Sequence, residues 1–285
     1  MIRKILVPVR GDGKGDNVLA HAAAMSRRFN AHTVVTYCKA RPEDMLPYGV
    51  PIPSFVRDQI AEQAEKVADS EEENLKSEFT ALAGKLGLTI SDKPDGKKPT
   101  ASWVARVGKQ IDVIRHYGRL TDLIAVPQPD RDRNLGANTL KSALFSTGRP
   151  VMMCPPQDEA PTSLGEKITI AWNGSTQAAR AVALSLNVID DAKEVTILTV
   201  GREEIHGSTS EDLIEYLALR DIEAKVERFE SKGKIGSDLL EKSAEVGADL
   251  MVMGAYSHSH AHETVFGGST QVVVDTARMP VLLVH

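Results

Sequence analysis

The stretch "LMVMGAYSHSHAHETVFGGSTQVVV", Leu250 to Val274, decides how this chain is read. Its apolar run breaks at Gly254, a polar histidine-rich loop follows, and Gly-Gly-Ser-Thr then opens an apolar segment. An all-apolar strand, a loop and a helix in that order make one unit of a parallel α/β sheet, because a strand covered on both faces has no polar alternation. The same stretch poses a functional question. Gly267-Gly268 before a helix would expose backbone amides at a positive dipole end, a ready anion site. Alternatively, His258, His260 and His262 alternate along an extended segment and could share one side, the spacing of a divalent-metal site. Only Glu263 stands close by as a carboxylate, so solvated histidines are the simpler reading.

Working outward, the unit recurs. "KILVPVRGD" starts at Lys4 and "KITIAWNGS" at Lys167; both are apolar strands that end in a glycine-containing turn. Each leads into an alanine-rich helix, "NVLAHAAAMSRRF" and "TQAARAVALSLNVI", and then into a second strand, "HTVVTYC" and "EVTILTV". Further on, "TDLIAVPQP" matches "ADLMVMGAY" and "RPVMMCP" matches "MPVLLVH". Five landmarks in one order indicate a duplication; a single large sheet is the competing reading. The expected organisation is residues 1–155, a linker over 156–166, and residues 167–285. "PPQDEAPTSLGE" lacks apolar periodicity and is rich in Pro and acidic residues. The extra length of the first half lies mainly in "PSFVRDQIAEQAEKVADSEEENLKSEFTALAGKLG". There Phe55, Ile60, Val67, Leu75, Phe79 and Leu82 predict a long amphipathic helix, against the much shorter "SEDLIEYLALRD".

Strands alternating with helices predict two tandem doubly wound parallel-sheet, Rossmann-like domains, α/β in class. Such sheets bind ligands beyond the carboxyl ends of their strands. Attention therefore falls on "VRGD", "WNGS", "VPQP", "VGRE" and "MGAYS". The closing strands "VMMC" and "VLLV" are expected to pair with each other, since bare edges invite aggregation.

Composition narrows the function. Of 285 residues, 42% are hydrophobic and 26% charged, an ordinary globular balance. No apolar run approaches the length of a membrane span. The start, "MIRKILVPVRG", reads as a strand rather than a signal peptide, so a cytoplasmic location is expected. Residues 1–160 carry 23 basic and 20 acidic residues, and residues 161–285 carry 11 and 19. Neither half has the basic stripe that nucleic acid demands. The second half is net negative, so any anion it binds must be drawn by backbone dipoles. Cys38 and Cys154 have no metal-type spacing and read as buried thiols. No G-x-S-x-G, HExxH or Walker motif is present, and no acidic cluster for Mg²⁺ stands near the loop, which favours binding over catalysis. Slow nucleotide hydrolysis is a third reading.

These features resemble the universal stress protein family in its tandem form. The resemblance is carried by "IAWNGSTQAARAV", "DLMVMGAYSHS" and "FGGSTQVVVDTARMPVLLVH" in the second half, and by "KILVPV", its helix and "RPVMMC" in the first. It implies a stress-response protein and, in nucleotide-binding members, a loop of Gly, two residues, Gly, nine residues, then Gly and Ser or Thr. Here Gly254 takes the first place, Ser257 stands for the second glycine, Gly267 takes the third, and Gly268 holds the Ser/Thr place ahead of Ser269. Asn173 stands where such members commonly carry Asp.

The resemblance then implies an adenine nucleotide, ATP or AMP with or without Mg, in the second half. Ala171, Trp172, Asn173 and Val200 would surround base and ribose. Met253, Gly254, Tyr256 and Ser257 would floor the loop, with Tyr256 stacking or closing the lip. Gly267, Gly268 and Ser269 would hold phosphates, Ser269 alternatively capping the helix. Glycine at 254 would supply positive φ and close approach to phosphate.

In the first half Arg10 replaces the acid and Pro127 removes an amide, so no nucleotide is expected there; Arg10, Arg131 and Arg133 could draw an anion or form a solvated basic loop. The first half would instead pair with the second as family members pair in dimers, and a homodimer is a further expectation. The alternative function is a signalling or structural adaptor that binds no nucleotide and recruits a partner through the long helix.

Overall fold

A computed structural model describes residues 1–10, 13–39, 41, 53–201, 207–256 and 268–285. The first half runs β1 (Lys4–Val9), α1 (Gly15–Phe29), β2 (His32–Lys39), α2 (Ser54–Lys85), β3 (Thr89–Ile90), β4 (Thr100–Val107), α3 (Gln110–Gly118), β5 (Leu123–Pro127), α4 (Ala137–Thr147) and β6 (Val151–Cys154). The second runs β7 (Lys167–Ala171), α5 (Thr176–Ile189), β8 (Glu194–Val200), α6 (Ser210–Ala218), β9 (Ala224–Phe229), α7 (Ile235–Glu245), β10 (Leu250–Gly254), α8 (Gly268–Thr276) and β11 (Val281–Val284).

All the described strands form one sheet in the order β3-β4-β2-β1-β5-β6-β11-β10-β7-β8-β9. Neighbours within each half are parallel, and the halves join where β6 and β11 pair antiparallel, Leu282 opposite Met152. The duplication and the single large sheet are thus both present: two wound halves meet edge to edge through "VMMC" and "VLLV", as the edge argument predicts. The short apolar ends of each half protect one another.

The strand side chains alternate between two cores that run through both halves. Ile5, Val7, Met152 and Ile170 lie with α1, α2, α5 and α6, whereas Leu6, Val126, Met153 and Met251 lie with α3, α4, α7 and α8. This alternation explains why the strands are apolar at successive positions. The segment between β6 and β7 has no helix or strand, yet it is fastened. Arg27 donates to the carbonyls of Pro161 and Thr162, Arg28 donates to that of Leu164, and Leu164 is buried.

The long helix corrects one expectation. α2 forms over Ser54–Lys85, but Phe55 and Val67 are each 66% exposed, and among its residues only Phe79 and Ala83 are buried. At about 100° per residue, Phe55 lies roughly 150° around the helix from Leu75, Phe79 and Leu82. Ile60, Val67, Leu75, Phe79 and Leu82 fall within about 120° of one another and only Phe55 lies off that stripe. Ile60 and Val67 are nonetheless exposed, because burial is confined to the C-terminal third of the helix. Among the described residues no helix is long and apolar enough to cross a membrane.

Candidate functional site

In the second half the strand order reverses between β7 and β10, and a cleft of about 280 Å³ opens beyond their carboxyl ends. Ala171 from β7, Val200 from β8, and Met253 and Gly254 from β10 reach it. The first turn of α5 contributes Gln177 and Ala178, α7 contributes Ile235 and Leu239, and α8 contributes Gly268, Ser269 and Thr270. Three helices thus begin at one cleft. Each helix leaves its first amides without an intrahelical acceptor and carries a partial positive charge at that end. The described lining holds no Asp, Glu, Lys or Arg. The described lining can therefore draw an anion only through neutral donors, backbone amides and hydroxyl or amide side chains.

Nine of the predicted residues meet here: Ala171, Trp172, Asn173, Val200, Met253, Gly254, Tyr256, Gly268 and Ser269. Ser257 and Gly267 lie outside the described residues, as do His258, His260 and His262. Among the described residues no group of three metal-ligating side chains occurs. Gln177, Ala178, Ile235, Leu239, Ser175 and Thr270 also line the cleft and were not anticipated. Their only sequence signal was position in the first turns of helices after β7, β9 and β10.

The roles of several residues differ from the expectation. Gly254 is absent from the residues with positive φ. A Cβ there would lie 2.5 Å from the Gln177 carbonyl carbon and 2.7 Å from the Ala178 nitrogen. Glycine at this position lets α5 seat directly on the end of β10. Positive φ occurs instead at Tyr256, φ 63°, an uncommon conformation for an aromatic residue. The ring packs against the seam, 5.1 Å from Phe145 of the first half and 6.4 Å from His285. Burial holds the Tyr256 phenol above its ordinary pKa. The Tyr256 amide stays at the cleft and donates to Thr270 Oγ1 at 3.4 Å.

The "AWNGS" turn is likewise self-supporting. Trp172 is buried, and its indole N–H donates to the Ser208 carbonyl at 3.0 Å. Asn173 Oδ1 accepts from the Ser175 amide at 3.2 Å, so the oxygen expected to read a ribose or base edge already closes a local turn. Ser175 caps α5 by accepting from the Ala178 amide. Gly174, φ 68°, passes so close to the Gly207-Ser208 backbone that a Cβ would come within 2.8 Å of the Ser208 oxygen. Ser269 is the second residue of α8 rather than its cap, and its carbonyl lies 2.4 Å from where a Gly236 Cβ would stand. The first turns of α7 and α8 are therefore in direct contact beside the cleft.

In the first half the three arginines of the corresponding turn and loop have partners within the protein. Arg10 Nη1 donates to Thr139 Oγ1 in the first turn of α4 at 3.4 Å. Arg131 pairs with Asp275 of the second half at 2.5 Å, and the Arg133 amide donates to Asp130 Oδ1. Arg10 and Arg131 thus have protein partners while remaining exposed to solvent.

The universal stress protein family model matches residues 166–285. The whole chain is similar in fold to a universal stress protein from Archaeoglobus fulgidus DSM 4304. Sequence identity is 17% and the TM-score 0.68, covering 99% of this chain and 97% of that one. A putative universal stress protein from Pseudomonas aeruginosa UCBPP-PA14 matches with 16% identity and a TM-score of 0.55, covering 99% and 93%. No curated protein matches the chain in sequence.

Proposed function

We propose that the chain is a tandem universal stress protein, a cytoplasmic, non-catalytic stress-response binding protein; the family model that matches residues 166–285 and the likeness in fold over the whole chain support this reading. Its second half takes an adenine nucleotide, AMP or ATP. We propose residues 1–155 and 167–285 as its two domains, the first without a nucleotide. The observation that carries the reading is the convergence of α5, α7 and α8 N-termini on one uncharged cleft. Apolar side chains of Val200, Ile235, Leu239 and Met253 suit a flat base on one side. The amides of Gly268, Ser269 and Thr270 suit a phosphate on the other, because among the described residues no acceptor takes them. The cleft sits at the lower end of small-molecule sites, about 300–1,000 Å³, the scale of a mononucleotide.

Isothermal titration with AMP and ATP, with and without Mg²⁺, tests this. Saturable heat without phosphate release supports a binding protein, whereas phosphate release at a steady rate makes it an enzyme. Silence with every nucleotide favours the second reading, an adaptor. The observation behind that reading is the N-terminal part of α2, where Phe55, Ile60 and Val67 are exposed.

A further inference from the structure

A residue of the first half holds one of the helices that build the second half's cleft. Gln128 follows β5 in the first half and is buried at 9% exposure. Its side-chain amide donates to two carbonyls at the end of α8, Val274 at 2.9 Å and Ala277 at 3.2 Å. Its own backbone N–H is held by the Cys154 carbonyl at 2.9 Å, so the residue is fixed at both levels. The last carbonyls of a helix have no intrahelical donor, and an N–H group placed there satisfies them and complements the negative dipole end. Arg131 adds a cation against Asp275 on the same turn.

The other end of α8 is tied to the first half as well. Thr270 accepts from the Tyr256 amide, and the Tyr256 ring rests on Phe145 of α4. By the match of β5 with β10, Gln128 and Pro129 correspond to Ala255 and Tyr256. Each half therefore sends the loop after that strand across the seam toward the last helix of the other. The polar cap exists in one direction only, because the second half has Ala255 where the first has Gln128.

We propose that Gln128 is a positioning residue for the second half's cleft. By holding the C-terminal end of α8 it fixes where the Gly268, Ser269 and Thr270 amides point. The first half is thus a working part of the second half's site. This inference rests on the nucleotide reading. α8 is nine residues long, about 13 Å, and a helix that short transmits a shift at one end to the other nearly as a rigid rod. Donors that face a charge depend on placement to within a fraction of an ångström, so the phosphate side of binding should feel the cap and the base side should not.

The test uses the full chain with Gln128→Met, which keeps length and volume but donates nothing. AMP and adenosine affinities are measured by calorimetry beside a thermal melt. The expected result is a loss of about fivefold or more in AMP affinity, the lower range of coupling between sites, with adenosine within twofold. A lower melting temperature with an unchanged AMP-to-adenosine ratio would make Gln128 a stabilising cap only and overturn the inference. Should Gln128→Met fail to fold, Arg131→Ala replaces it, since that side chain is 66% exposed. A selective loss for AMP, smaller than that expected of Gln128→Met, then supports the inference, and equal affinities overturn it. If the unmodified chain binds neither ligand, the nucleotide reading itself falls and takes this inference with it.

Discussion

Replacing Gly254 with Ala separates two explanations of the same glycine. If the residue is there only to let a phosphate approach, one methyl group should leave the empty fold intact; φ at Gly254 is not positive, so backbone strain of that kind does not enter. The structure predicts otherwise. The added Cβ would sit 2.5 Å from the Gln177 carbonyl carbon and 2.7 Å from both the Gln177 oxygen and the Ala178 nitrogen, all backbone atoms in the first turn of α5. Ordinary carbon contacts lie near 3.5–4.0 Å, so α5 or β10 must move by about 1 Å. Backbone cannot swing aside as a side chain can, and overpacking of this kind costs about 1–3 kcal/mol. For a domain of this size that corresponds to a melting temperature lower by about 3 °C for each kcal/mol. Gly268→Ala is the control, because among the described residues a Cβ there meets nothing within 4 Å. It should leave stability within about 1 kcal/mol, with helix propensity acting in its favour, while lowering AMP affinity by narrowing the cleft mouth. Urea denaturation of both variants without ligand decides the matter. Gly254→Ala as stable as the unmodified protein would refute the packing argument.

Other predictions concern different parts of the molecule. Gly236→Ala would place a methyl 2.4 Å from the Ser269 carbonyl oxygen, parting α7 from α8; it should both destabilise the protein and weaken AMP binding, as melts and titration would record. Burial lowers the pKa of His21 and of His32, and His32 also sits between Thr100 and Ser102 hydroxyls. With folded-state values below the unfolded value of about 6.5, the unfolded chain takes up protons first as pH falls. Stability should therefore be level above neutrality and decline below about pH 6.5; a urea midpoint unchanged between pH 7.5 and 5.5 contradicts this. Burial raises the thiol pKa of Cys154 and of Cys38, and Cys38 further donates to the Gly108 carbonyl at 3.1 Å. A thiol reagent at pH 8 should label the native protein slowly and both cysteines promptly in denaturant.

The fold was legible because its signals are local and repeated. All-apolar strands, a glycine after the strand and an alanine-rich helix recur in one order, and the paired closing strands follow from their exposed edges. The site was legible as a place, since strand ends such as Ala171, Val200 and Met253 are where this architecture puts ligands. Individual roles were harder to read. Gly254 was read through a loop motif, yet its constraint is a helix distant by some 75 residues in sequence. Tyr256 was read as a lid, but its ring belongs to the seam, which involves a helix of the other half. The cap made by Gln128 leaves no trace in the sequence, because its partners are carbonyls brought near only when β6 meets β11. For α2 the sequence shows an apolar stripe, but how much of it meets the sheet is set by the tertiary fold, which buries only Phe79 and Ala83.

Backbone amide resonances offer the most direct test of the proposal that dipoles alone draw an anion to the mouth of α8. In an AMP titration followed by nitrogen–proton correlation spectra, the Gly268, Ser269 and Thr270 amides should move progressively and saturably, and adenosine should leave them nearly still. If AMP binds while those three amides stay unmoved, the nucleotide is held elsewhere and the proposed site is wrong.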